Sequence, residues 1–371
     1  MAPTLKKTLL GIVALVVVLA ACTHETNDVI APVVPEPSGN DTSPVVFDPA
    51  LVPYATLSQY NFFQGAMVDQ VPVVGVLPYD VITPLFSDYA HKKRFVWMPN
   101  GQQATYVSDN KALSFPDGTV LIKTFYFDRV QPADTRRIME TRLLFRRNGQ
   151  WEFADYVWNA AQTEAYFNLN GQFVPLAWKD DADVTHTLNY RIPAGAECHT
   201  CHKDFGIDSP IGPKPQNLDR DFDYPEGTSN QLVKWATVGY LQPGFPSNID
   251  RTVRWDDPDE SLTDRVRAYV DMNCSHCHNE GGHCDYRPMR FAWSETTDLV
   301  NLGVCVEPED PIDPNYPYIV ASGNVPRSML WYRISSTAEE VRMPLLGRTV
   351  VHEEAKALLE EWINTLSPPC P

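Results

Sequence analysis

Two pentapeptides constrain this chain more than any other feature: Cys198-His199-Thr200-Cys201-His202 and Cys274-Ser275-His276-Cys277-His278. Both read C-x-x-C-H. Two thiols three positions apart on an incipient helical turn reach two points on the edge of one flat prosthetic group, and the adjoining histidine then lies beneath its centre. A thioredoxin-like redox pair needs a βαβ context, which neither site has. One zinc shared by all four thiols would have to span the 72 residues between Cys201 and Cys274, far beyond a ribbon. Simple disulfides would not explain a histidine after both pairs. The expectation is therefore two covalently bound haem c groups. Cys198, Cys201 and His202 would hold one and Cys274, Cys277 and His278 the other, with His202 and His278 as iron ligands. His199 and His276, between the cysteines, are expected to point away from the metal.

The start of the chain sets the compartment. Residues 1–21 carry Lys6-Lys7 and then an apolar run from Leu9 to Ala21, the pattern of an export signal. The run ends Leu19-Ala20-Ala21-Cys22, which resembles a bacterial lipobox, so Cys22 is expected to be cleaved at its amino side and lipidated. That places the chain in the bacterial cell envelope, lipid-anchored through Cys22, on the outer membrane facing the periplasm or the cell surface. Residues 22–48 read as a flexible tether rich in proline and acidic groups. With 30 Lys+Arg against 47 Asp+Glu the net charge is −17, and −19 once residues 1–21 are removed. This excludes nucleic acid as a partner, because phosphate contacts need surplus cations. It suits cationic redox partner proteins of the envelope, steered by charge.

The mature chain changes texture near residue 190. From 49 to 190, short β-type runs such as Thr119–Asp128 and Arg137–Arg147 alternate with turn signals. Asn148-Gly149 and Asn170-Gly171 both read as hairpin turns. After 190, helical patterns over 229–241, 261–273 and 353–366 are separated by long proline-rich loops. The fold class expected is multidomain α+β. An antiparallel β sandwich or barrel (49–190) is followed by a first haem segment (191–250) and a mainly α, cytochrome c-like second haem domain (251–371).

The order of helix, second motif, long loop and last helix resembles the cytochrome c fold, in which that loop brings the distal ligand. Met343, followed by Pro344 and ten residues before the last helix, is where that resemblance puts the distal methionine, giving His278/Met343 ligation. Met289 and Met329 are the other candidates, and core packing is the alternative for all three. Between Lys203 and Asp271 there is neither Met nor His, so the first haem lacks the usual downstream ligand. His91, Met98, His186, Met272 and Lys234 remain candidates for its sixth position. In an oxidising compartment Cys284 and Cys305 are expected to pair, leaving Cys370 alone.

Several phrases resemble a family of exported bacterial diheme c-type cytochromes that carry a β-rich domain ahead of the haem region. They include LFSDYAHKKRFVWMPNG (85–101), CHTCHKDFG (198–206), RAYVDMNCSHCHNEGG (267–282) and RMPLLGRTVVHEEAKALLEEWI (342–363). The resemblance covers roughly residues 50–371. It implies haem binding and electron transfer, with no catalytic residue assigned. The alternative is a diheme oxidoreductase of peroxidase type, using an open sixth site at the first haem.

Overall fold

A computed structural model describes residues 42–371. The expected lipidation site, Cys22, and the export signal lie outside the described residues. No helix among the described residues is long and apolar enough to cross a membrane.

Eight antiparallel strands make the principal sheet. They are β1 (Leu77–Tyr79), β2 (His91–Trp97), β3 (Val120–Val130), β4 (Thr135–Arg147), β5 (Gln150–Trp158), β6 (Ala165–Phe167), β7 (Asn170–Lys179) and β8 (Thr185–Ala194). The spatial order is β8-β7-β3-β4-β5-β6. The β1–β2 pair joins the free edge of β3 through its first half, and β7 meets β3 only at Val130↔Trp178. Strict alternation along β3 builds the two faces. Val120, Ile122 and Thr124 point one way, with Phe95, Trp97, Leu143, Phe145 and Tyr156, onto the segment 45–73. Each large apolar side chain buried there contributes roughly 1.5–3 kcal/mol. The hydroxyls in this core are paired, as they must be: Tyr60 with Tyr156 at 2.9 Å, and Thr124 with Thr141 at 2.8 Å. Residues 42–48, expected as the end of a tether, lie on this core, with Val45 and Phe47 packed against it.

The turn at Asn148-Gly149 forms as the sequence predicts. Both residues have positive φ, 51° and 75°, which the tight hairpin between β4 and β5 requires. Asn170-Gly171 does not. It opens β7, with Asn170 opposite Ala194, while 165–167 pairs back onto β5. A Cβ on Gly171 would meet the Ala194 nitrogen at 2.8 Å, so this glycine serves a close strand approach rather than a hairpin.

The region after 190 is where the sequence reading is overturned. Strand accounts for 28% of the structure and helix for only 18%, in six short helices, so the expected mainly α, cytochrome c-like region is absent. The helices are α1 (Gly195–Cys201), α2 (Pro215–Leu218), α3 (Gln231–Thr237), α4 (Leu262–Asn273), α5 (Met329–Ser335) and α6 (Glu353–Thr365). Two further hairpins pair 203–204 with 207–208 and 221–224 with 227–230. The physical reason lies in the breakers. Pro308, Pro311, Pro314, Pro317 and Pro326 fall too close together for a long helix to run between them. Apolar residues of this half are buried from loops instead. Trp235 of α3, Met272 of α4 and Leu241 of a loop pack with Tyr79 of β1 on the second face of the sheet. Phe291, Leu302, Ile319 and Val320 fill the space between α4, α5 and α6. Ser261 caps α4, accepting from the Asp264 amide at 3.1 Å.

The disulfide also differs from expectation. Cys305 bonds to Cys370, with Cα atoms 5.2 Å apart, and Cys284 is a free thiol. The Cys284 amide donates to the Cys277 carbonyl at 2.9 Å, which keeps it with the second motif, whereas the Cys305 amide donates to Val320, beside the chain end. Because 65 residues separate the two partners, the chain-entropy model gives the bridge about 4 kcal/mol. Cys305→Ser is therefore expected to lower the urea midpoint markedly, whereas Cys284→Ser should leave it nearly unchanged; urea titration of the two variants checks this.

Candidate functional site

Both motifs stand at helix ends. Motif one is carried by α1, which starts directly after β8; Glu197 accepts from the Ala194 amide at 2.8 Å and closes that start. Motif two follows the last turn of α4, with Cys274 as its C-cap. The local geometry repeats. The His202 amide donates to the Cys198 carbonyl, and the His278 amide to the Cys274 carbonyl, each at 2.9 Å. Each histidine also has a phenylalanine beside it, Phe153 with centroids 5.1 Å from His202 and Phe291 at 5.7 Å from His278.

Protonation follows from burial. Desolvation pushes both His202 and His278 down to about 4, so both are neutral imidazoles with a lone pair to give. His202 Nδ1 sits 3.0 Å from the Ser209 carbonyl, an arrangement that puts the proton on Nδ1 and leaves Nε2 as the donor atom. His278 Nδ1 is buried without a hydrogen-bond partner. Burial likewise raises Cys198 to about 11 and Cys274 to about 12, keeping them as neutral thiols.

Each motif opens onto its own cavity. The first, about 180 Å³, is lined by Cys198, Cys201 and His202 with Leu85, Phe86 and Leu121. The second, about 250 Å³, is lined by Cys274, Cys277 and His278 with Phe291, Ile319 and Leu330. One water needs only about 10–15 Å³ by this measure, so both have room for a much larger group. Two cysteine sulfurs, a neutral imidazole and several apolar side chains at each cavity fit a haem held by thioethers. The residues present therefore match the cofactor that the spacing implies.

Met343 lines the second cavity together with His278, as do Met289 and Met329. Its segment is tied down: the Met343 amide donates to Arg333 at 3.1 Å, and Arg348 donates to the Met343 carbonyl from two nitrogens. Among the candidates for the first haem's sixth position, Met272 alone lines the first cavity. His186 is paired with Asp180 at 2.8 Å. His91 is exposed on β2, Lys234 pairs with Glu226, and Met98 is packed in the core above α3.

Three features escaped the sequence. His276 does not point away: it lines both cavities, and its ring nitrogen and the Cys201 and Cys277 sulfurs all lie within 4.8 Å of one another. The motifs are therefore in contact. The Cys277 thiol donates to the Thr200 carbonyl at 3.9 Å beside Cys201, and the proximity of the two sulfurs holds Cys201 down near 4 and pushes Cys277 well above the usual thiol range. His199, by contrast, is exposed and paired with Asp208 at 2.9 Å.

The second feature is a role for the Leu85–Ala90 phrase. Asp88, 2% exposed, accepts from the Thr349 amide and hydroxyl and from the Val350 amide at 2.6, 2.9 and 3.1 Å. The Phe86 amide donates to Asn273 at 2.8 Å, and its ring stacks on His352 with centroids 4.0 Å apart. The loop after β1 thus fastens α4 and the Met343 segment to the sheet. Desolvation pushes His352 down to about 4, below its unfolded value near 6.5. The unfolded chain then binds the extra proton, so His352's contribution is complete above about pH 6.5 and about 2–3 kcal/mol of stability is lost as pH falls toward 4. Thermal melts across that range should show the loss in wild type and a flatter profile in His352→Gln.

The third feature is a row of charge on the sheet facing the first cavity, taken up below. No protein-family model, curated protein or solved structure matches this chain.

Proposed function

We propose that this chain is a diheme c-type cytochrome that carries electrons in the bacterial cell envelope, anchored by lipid at Cys22. The observation that supports this most is the duplicated arrangement. Two C-x-x-C-H motifs with the same local hydrogen bond each face a cavity, and each supplies a neutral imidazole. Haem c supplies one-electron iron chemistry when bound. In this reading Cys198 and Cys201 anchor one group and Cys274 and Cys277 the other. His202 and His278 ligate the two irons, with Met343 the distal partner of His278. The sixth position at the first site falls to Met272. Ser209 orients His202, and Arg348 with Asp88 holds the Met343 segment in place. The motifs are in contact, and the cavities share Cys201, Asn273, His276, Pro344 and Leu346, so haems held there would lie side by side. The net charge, −19 once residues 1–21 are removed, suits a cationic redox partner.

A second reading is favoured by one observation. Cys201, His276 and Cys277 could hold a metal ion such as zinc, with a fourth position open. It leaves Cys198, Cys274, His202, His278 and both cavities without a role. The readings exclude each other, because sulfurs consumed in thioethers cannot also serve as thiolate ligands. Intact mass with iron and zinc analysis separates them. Two haems per chain support the cytochrome; stoichiometric zinc without haem overturns it.

A thioether ligand favours ferrous iron and raises the potential. Met343→Leu is therefore expected to lower the reduction potential of one centre in a spectroelectrochemical titration while leaving the other in place. An unchanged pair of potentials would remove Met343 from the iron and pass the role to Met289 or Met329.

A further inference from the structure

One row of the sheet is charged where its neighbour is apolar. Arg94, Lys123, Arg142 and Asp155 are direct partners across β2, β3, β4 and β5, and all four line the first cavity. The adjacent row on the same face, Val96, Leu121, Leu144 and Phe153, is apolar. Like charges opposite one another across strands cost stability, and here three cations stand in register.

Two of the three have partners. Arg94 pairs with Asp80, and Arg142 grips Glu140 through two bonds at 2.8 and 2.6 Å. Lys123 has no hydrogen-bond or carboxylate partner among the described residues; its ammonium lies over the Phe125 ring at 4.9 Å. Asp155 is 4% exposed and stands beside Glu140. A half-buried lysine flanked by two guanidinium groups, whose neighbouring carboxylate Glu140 is already gripped by Arg142, is an arrangement that an anion would complete.

We propose that Lys123, flanked by Arg94 and Arg142, anchors a carboxylate-binding site in the first cavity. Desolvation, then the charges of Arg94, Lys92 and Arg142, hold Lys123 well below its ordinary value. A carboxylate beside it reverses that balance and restores the ammonium. Burial, then the charge of Glu140 and a hydrogen bond to it, hold Asp155 well above the carboxylate range, so it adds no negative charge to the row. The carboxylate comes from one of two sources: a propionate of the haem on Cys198 and Cys201, or a small free carboxylate. The first source rests on the cytochrome reading above; the second does not.

The test uses the full protein as isolated, with haem content measured in the same sample and acetate as the probe. Thermal melts across an acetate series, the reduction potentials, and the variants Lys123→Met and Lys123→Arg make up the comparison. For a free carboxylate, acetate raises the wild-type melting temperature saturably. Lys123→Met weakens that binding at least tenfold, and Lys123→Arg retains it. For a propionate, acetate has no effect, while Lys123→Met shifts the potential of one haem and Lys123→Arg does not. The proposal is overturned if acetate has no effect and Lys123→Met matches wild type in potentials and melting temperature. A sample without haem defeats the cytochrome reading alone, since the acetate series still decides this one. Should Lys123→Met not accumulate, Lys123→Gln carries the same comparison.

Discussion

Replacing Cys198 and Cys201 together with alanine is expected to cut covalent haem from two per chain to one, read by intact mass and by a pyridine haemochrome assay. The remaining group would be the one on Cys274 and Cys277. Independence follows from geometry: each motif has its own cavity wall, its own imidazole and its own backbone bond from histidine to the first cysteine. Coupling follows from it as well. Cys201 touches Cys277 and His276, so the surviving haem should show a shifted potential even though its attachment is intact. Loss of both haems would mean that the two sites assemble as one; loss of neither would remove the first motif from haem attachment.

The second large effect is placed far from either motif in sequence. Asp88→Ala removes three hydrogen bonds that tie residues 349–350 to the sheet. Buried donors left without partners make the change expensive, about 4 kcal/mol, since bonds to a charged acceptor run to roughly 1.5–3 kcal/mol each and do not add fully. Chemical denaturation should show a drop of that order. The same variant should lower the potential of the centre that Met343 serves, because residues 343–350 then lose their anchor. Asp88→Asn, which keeps one acceptor oxygen, should fall between. An Asp88→Ala protein as stable as wild type would show that the loop after β1 does not hold this half in place.

Legibility from sequence was uneven, for physical reasons. The alternation in 120–130, the Asn148-Gly149 turn and the cap at Ser261 are local devices, and local devices can be read from a single chain. The Asn170-Gly171 dipeptide carried the same local pattern and misled, because Gly171 answers to Ala194 across a strand pair that no local pattern specifies. The α4 and α6 stripes were readable. The proline spacing that breaks up the surrounding chain was visible too, and weighed against a mainly α region. The disulfide was a choice among three thiols, and proximity in sequence favoured Cys284 where proximity in space favours Cys370.

The site divides the same way. Cys198, Cys201, His202, Cys274, Cys277 and His278 were named from spacing alone, and they line the two cavities. The contact between the two motifs, the Asp88 tether and the charged row were not, since each joins residues far apart in sequence: Cys201 with Cys277, Asp88 with Thr349, Arg94 with Lys123 and Arg142. A hint of the last was available. Lys123 and Arg142 sit on alternating strands among residues that otherwise read as core, and a lone cation on a buried face is a misfit that calls for a partner.

The most direct measurement is the optical spectrum of the dithionite-reduced protein from an envelope fraction, with haem and metal content on the same sample. The account predicts reduced bands of thioether-linked haem at two groups per chain. A colourless protein carrying one zinc ion per chain would contradict it.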